Sequence, residues 1–147
     1  MRDAAHSDIP DILTIEKQVF GTEAWSREVY ESEFSLLGYS RIYKVIEENN
    51  RIVAYFGIAI VDGTLDITTI AVTPSHQRKG LACLMMDEIL KLARDYEAKT
   101  LMLDVKPENS AAIGLYQKYG FEVVGLRRNY YGPSKDALTM QKVLQNV

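Results

Sequence analysis

Between residues 64 and 96 the apolar pattern changes period once, and abruptly. "LDITTIAV" is β-branched and reads as a strand ending at Val72. "TPSHQRKG" then brings Pro74, two adjacent basic residues and Gly80, none of which continues a strand. From there Leu81, Leu84, Met85, Ile89, Leu92, Ala93 and Tyr96 recur at helical spacing over residues 81 to 96. A strand that hands over to a long amphipathic helix needs a sheet for that helix to cover, so the chain must combine both element types.

The remaining segments fall into one continuous series. "DIPDILTIEKQVF" places Ile9, Ile12, Leu13 and Val19 or Phe20 near helical spacing, with Asp8 as N-cap and Pro10 in the first turn. "WSREVYESEFSLL" repeats that signal, with Ser26 as cap and Val29, Tyr30, Phe34 and Leu37 on one side. Residues 40–72 hold three β-rich runs separated by "ENN" and "DG", which predicts an antiparallel meander. "TLMLDV" reads as a short buried strand, "NSAAIGLYQKYG" as a helix ended by Gly120, and "FEVVGL" and "DALTMQKVL" as two further strands. The resulting order ααβββαβαββ implies an α+β fold: a mixed sheet with helices on both faces.

At 147 residues, 47% hydrophobic and 25% charged, the chain suits one domain spanning 1–147. A net charge of −3 argues against a general nucleic-acid binder, so the basic residues need a local explanation. The single cysteine, Cys83, excludes an internal disulfide and a cysteine-built zinc site, and fits a reducing compartment such as the cytoplasm. It lies in the long helix without a neighbouring histidine, which favours packing over nucleophilic chemistry. His6 and His76 lack metal-ligand spacing, so no metal is expected. The start "MRDAAHSDIPDI" has no signal-peptide core and "VAYFGIAIV" is too short to span a bilayer, so a soluble protein is expected.

A strand-to-helix junction presents unpaired backbone N–H groups at the positive end of a helix, which makes it an anion site. Gly80 would let a diphosphate approach the backbone, with Arg78 and Lys79 adding charge and Gln77 a neutral hydrogen-bonding group. Neither G-x-x-x-x-G-K-[ST] nor G-x-G-x-x-G is present, so nucleoside triphosphatase and dinucleotide-binding readings fall away. The plain alternative is a solvated basic turn with a helix-entry glycine.

"QRKGLA", following "IAV" and opening a long helix, resembles the Q/R-x-x-G-x-G/A segment of the GCN5-related N-acetyltransferase superfamily. "LDVKPENSAAIGLYQKYGF" resembles that family's next strand and helix, with an Asn at the helix start and "LYxxxGF" at its end. "RRNYY", "DALTM" and "AWSREVYESEF" are similar to the RimI-type branch, whose members acetylate N-terminal amines of proteins, notably a ribosomal protein. The resemblance covers nearly the whole chain and implies a three-layer fold of order βααβββαβαββ, with about seven strands, mostly antiparallel, and a short first strand near Met1.

It also implies acetyl-coenzyme A as cofactor, held by Ile70, Ala71, Val72, Gln77, Arg78, Lys79, Gly80, Leu81, Ala82, Asn109 and Tyr116. Asp104, where the branch often has glutamate, becomes the candidate base, acting through water; the backbone N–H of Val72 the donor to the developing oxyanion; and Tyr116 the acid for the leaving thiolate. Trp25, Tyr30, Tyr130 and Tyr131 fall in the segments that flank the acceptor in RimI-like proteins, with Arg127 and Arg128 as a solvated pair beside them. Asn109 and Tyr116 lie two helical turns apart, about 10 Å, on one side of their helix. On residue chemistry alone Asn109 reads equally as an N-cap, Tyr116 as a core aromatic, and Asp104 as a strand-end acid paired with Lys106.

An α-amine with pKa about 7.7–8.0 is partly neutral at pH 7 whereas lysine, near about 10.4, is not, so a terminal amine is the easier nucleophile. Expected, then, is direct transfer of acetyl to a protein or peptide N-terminus in a ternary complex. A small-amine acetyltransferase on the same scaffold and an acyl-coenzyme A-binding module without turnover are the alternatives.

Overall fold

The computed structural model describes residues 1–144. In chain order the elements are β1 (Arg2–Asp3), α1 (Ile9–Phe20), α2 (Arg27–Phe34), β2 (Arg41–Glu48), β3 (Arg51–Val61), β4 (Thr64–Val72), α3 (Leu81–Asp95), β5 (Thr100–Val105), α4 (Ser110–Lys118), β6 (Glu122–Gly132) and β7 (Lys135–Val143). The order is the expected one, including the two-residue first strand on β2. All seven strands join one sheet in the order β1-β2-β3-β4-β5-β7-β6. Only β4 and β5 run parallel; every other neighbouring pair is antiparallel.

Each face of the sheet carries its own core. On one, α1 and α2 bring Ile9, Ile12, Ile15, Tyr30 and Phe34 against Tyr43, Val45, Tyr55 and Ala71. On the other, α3 and α4 bring Met85, Met86, Ile89 and Tyr116 against Phe56, Ile58, Leu65, Ile67, Leu101, Leu103 and Met140. Because both faces are covered, β3 is buried almost end to end and its sequence is apolar without alternation. The Tyr43 ring lies over Gly57 of the neighbouring strand, and a methyl group at that glycine would collide with it.

Local chemistry explains the helix ends, with some departures from expectation. Ser26 caps α2 by accepting from the Val29 N–H at 3.3 Å, but α2 stops at Phe34 and Val29 is exposed, leaving Tyr30 and Phe34 as its buried pair. Asp8 stands at the N-cap of α1, yet its carboxylate accepts instead from the Ala5 N–H at 2.7 Å and from Arg2 at 2.8 and 2.9 Å. On α3, Leu84 and Tyr96 are exposed and Met86 is fully buried. At about 100° per residue the buried set centres between Met85 and Met86, with Leu84 about 140° away; Tyr96 lies past the last helical residue. β6 continues through the RRNYY segment to Gly132, so the tyrosines lie on a strand, and this edge strand is exposed along most of its length.

Candidate active site

The site begins with a fault in β4. Its register against β3 slips between Gly57↔Thr69 and Ile58↔Ile67, so Thr68 is an extra, bulged residue. Up to that point β4 pairs with β5, the last pair being Ile67↔Leu103. Beyond it β4 continues to Val72 against β3 alone, while β5 continues to Val105 against β7 alone. The two parallel strands therefore part at their C-terminal ends, which is where open sheets of this kind hold ligands.

The parting leaves a row of unused backbone donors. The Thr73 N–H donates to the Val53 carbonyl at 2.8 Å, so odd-numbered residues of this stretch face β3. Ile70 and Val72 point the other way, into the gap. The oxyanion donor expected at Val72 is thus free of sheet partners, and Ile70 offers a second.

The junction after β4 is built to follow this row. Gln77 donates its side-chain amide to the Val72 carbonyl at 3.1 Å, and its own N–H reaches the Pro74 carbonyl at 3.4 Å. Gln77 therefore ties the loop back to the end of β4. Arg78 and Gly80 both take positive φ, 63° and 84°, curling the chain into α3. Gly80 has open space where a side chain would project. The first bond of α3 runs from the Leu84 N–H to the Gly80 carbonyl, so the amides of Leu81, Ala82 and Cys83 have no partner within the helix. Arg78 and Lys79 are exposed beside them. Backbone amides, two cations and an uncrowded glycine form a donor set that fits a diphosphate.

Across the gap, Asp104 lies on the α1/α2 face of β5, between Leu103 and Val105, which face the other core. One carboxylate oxygen accepts from the Thr139 hydroxyl at 2.7 Å and lies 3.4 Å from the Arg127 guanidinium. Its expected alternative partner, Lys106, binds Glu23 at 2.6 Å instead. Arg127 also reaches Thr139 at 3.3 Å and lies 5.4 Å from the Tyr130 ring centre; it is exposed, as expected, while its guanidinium joins the hydrogen bonding around Asp104. Asp66, two residues before the bulge, shares this face. Burial, then the charge of Asp104, holds its carboxyl above the usual range.

Tyr116 stands on the opposite face, 6% exposed, with Phe121 at 6.0 Å between ring centres. Burial and then the nearby Tyr131 push its phenol well above the ordinary value, so it stays protonated at neutral pH. Asn109 accepts from the Ala112 N–H at 3.1 Å, which makes it the N-cap of α4 and leaves its amide nitrogen uncommitted to that cap.

The wall opposite the loop is aromatic and clasped. Tyr130 and Tyr131 meet edge to face at 5.0 Å, and Lys106 lies 5.7 Å from the Tyr131 ring centre. Glu23, from the α1–α2 connection, ties Lys106 at 2.6 Å to Lys135 of the β6–β7 hairpin at 3.2 Å. Trp25 is half-buried in that connection. Tyr30, expected to flank the acceptor, is fully buried and donates its hydroxyl to Glu16 at 2.6 Å; it is a core residue, because α2 turns that position inward. Asp66, Thr139 and Glu23 escaped the sequence reading. Alternation in "LDITT" and "DALTM" could have put the first two on one face, but which residues they neighbour follows from strand register.

A parted parallel pair, an amide-rich loop entering a long helix, and a carboxylate and phenol on opposite faces define an acyl-transfer fold. The acetyltransferase (GNAT) family matches residues 8–121, and the chain belongs to that family. Among curated relatives, N-alpha-acetyltransferase RimI of Mycobacterium tuberculosis is 33% identical over 142 residues, covering 92% of this chain and 87% of that protein. The ribosomal protein bS18-alanine N-acetyltransferase of Escherichia coli K12 is 29% identical over 130 residues, covering 88% and 84%. The crystal structure of the ribosomal-protein-S18-alanine N-acetyltransferase from Escherichia coli superposes with a TM-score of 0.89 at 26% identity, covering 99% of this chain and 93% of that one.

Proposed function

We propose that the whole chain acts as a single N-acetyltransferase domain that transfers acetyl from acetyl-coenzyme A to the N-terminal α-amine of a protein, a ribosomal protein being the favoured class, in the cytoplasm. The observation that carries this reading is the gap between β4 and β5, flanked by Asp104 on one face of the sheet and Tyr116 on the other. Full-length similarity to enzymes named for N-terminal alanine acetylation supports the acceptor class.

The bound thioester supplies an activated acetyl group and a thiolate leaving group. Arg78, Lys79 and the free amides from Leu81 to Cys83 grip the diphosphate. Ile70 and Val72 hold the extended arm and donate to the acyl oxygen as negative charge develops there, a fixed-dipole contribution that needs no reorganisation. Asn109 and Tyr116 lie along the cofactor from α4. Thr139 and Arg127 occupy one oxygen of Asp104 and fix its direction, so the other oxygen takes the ammonium proton, directly or through water. Tyr116 donates to the departing sulfur. Trp25, Tyr130 and Tyr131 contact the first residues of the acceptor.

Peptides varied at their first two residues, incubated with acetyl-coenzyme A and read by mass spectrometry, test this. The expected result is acetylation confined to the α-amine. Acetylation of free polyamines or amino acids alone would replace the peptide reading with the small-amine one, and stoichiometric coenzyme A binding without turnover would replace it with a binding module.

A further inference from the structure

Glu16 projects from the middle of α1 into the α1/α2 core and is 2% exposed. Its carboxyl accepts from four donors. The Tyr30 and Tyr55 hydroxyls reach one oxygen at 2.6 and 2.7 Å, the Thr69 hydroxyl makes a long 3.5 Å contact with the same atom, and the backbone N–H of Trp25 reaches the other oxygen at 2.8 Å. No described cation forms an ion pair with it. A buried carboxyl without a cation is a costly way to fill a core, and an apolar residue of similar volume would do that better.

What the carboxyl adds is position. Its donors come from four elements: the α1–α2 connection, α2, β3 and β4. Two of them bear on the proposed cleft. Trp25 is one of the residues assigned above to the acceptor, and Thr69 lies between the bulged Thr68 and Ile70, whose amide faces the gap. Burial, reinforced by the neighbouring charge of Glu16, raises both phenols above the ordinary range, so Tyr30 and Tyr55 remain donors at every working pH.

We propose that Glu16 is a positioning residue for acetyl transfer, one acceptor node that fixes the backbone at Trp25 relative to the amide row of β4 so that an incoming amine meets the face of the acyl carbonyl. The proposal rests on the acetyltransferase reading above. A carboxamide cannot replace the node. Turned one way, its NH₂ faces the Trp25 N–H; turned the other, the two phenols lose their acceptor.

Glu16→Gln in the full chain is the test, at a temperature where circular dichroism reports both proteins folded. The expected result is a rise of about tenfold in KM for the peptide, the scale of one lost buried hydrogen bond, with coenzyme A affinity retained. Acrylamide quenching of Trp25, the chain's single tryptophan, rises in parallel. An unchanged peptide KM overturns the proposal whatever happens to thermal stability. If the unaltered protein acetylates no peptide, the functional reading fails by itself; unchanged Trp25 quenching then overturns the positioning role, and raised quenching supports it. Should Glu16→Gln not fold, Tyr55→Phe removes one donor and keeps the ring. It is expected to raise peptide KM about threefold, and no rise counts against the node.

Discussion

β3 carries the contrast between the two halves of this molecule at adjacent residues. Tyr55 turns towards α1 and α2 with its hydroxyl on Glu16, whereas Phe56 turns towards α3 into a core of Ile, Leu and Met. The α1/α2 side adds buried directional bonds to its apolar core: Tyr30, Tyr55 and Thr69 on Glu16, and Tyr43 and Arg41 on Glu33. The α3/α4 side is held by apolar packing, which has no direction and needs only volume and periodicity. On the function proposed above, the difference matches two tasks. An acceptor must be aimed, so bonds with fixed geometry suit the side proposed to present it. A cofactor held by backbone amides, as proposed, would need a rigid platform beneath its loop, and a close-packed core provides one.

Four substitutions press on this division. The largest effect is expected from Phe56→Ala, which should cost about 3–5 kcal/mol of stability through a cavity in the apolar core. Urea denaturation measures it, and kcat per folded molecule should stay close to that of the parent. A loss below about 1 kcal/mol would mean that this core is not what sustains the fold. Tyr116→Phe reverses the pattern: kcat falls about 100-fold, the range for a lost general acid, with coenzyme A affinity and thermal midpoint nearly unchanged. An unaltered kcat would remove Tyr116 from the acid role and leave it a packing residue.

The remaining two act through protons, with opposite signs. Asp66 is held above the usual carboxylate range, so the folded chain binds its proton more tightly than the unfolded chain does. Its ionisation therefore lowers stability once pH rises past about 4. Asp66→Asn should raise the thermal midpoint at pH 7 by about 1–2 °C, allowing for solvent screening, with the gain fading as pH falls below the carboxylate range. Glu23 is held below that range, by Lys106 first and Lys135 second. Its contribution is present at neutral pH and disappears as pH falls through its lowered pKa. Glu23→Gln should give the smallest shift, a slightly lower midpoint at pH 7 that vanishes in acid and shrinks in high salt. A salt-independent loss would show that Glu23 packs rather than pairs.

How well each part could be read from the sequence follows the same division. The element order, the turn at Asp62–Gly63, the cap at Ser26 and the loop from Gln77 to Ala82 are local signals, and each lies where the sequence puts it. On α3 the apolar stripe expected from spacing is buried at Met85, Ile89, Leu92 and Ala93 but exposed at Leu84, since a leucine carries no mark of which way its helix is rolled. The resemblance of "AWSREVYESEF" to a substrate-side segment points Tyr30 to the acceptor; its 0% exposure comes from how α2 sits on the sheet. Arg127 is exposed, as its sequence suggests, but its partners, Asp104 and Thr139, lie on two other strands, and no local pattern names them.

The sequence by itself determined the periods, the breaks between them and the chemical types available at each break, because these depend on neighbours within a few residues. Only the tertiary structure decided where those types meet. A single extra residue at Thr68 parts β4 from β5, frees the amides of Ile70 and Val72, and rephases the side chains after it. Another extra residue, Val124, does the same for β6 ahead of Arg127. In a structure whose side chains alternate with period two, a slip of one residue exchanges core for cleft. That slip is fixed by packing across the whole sheet, which no local pattern records.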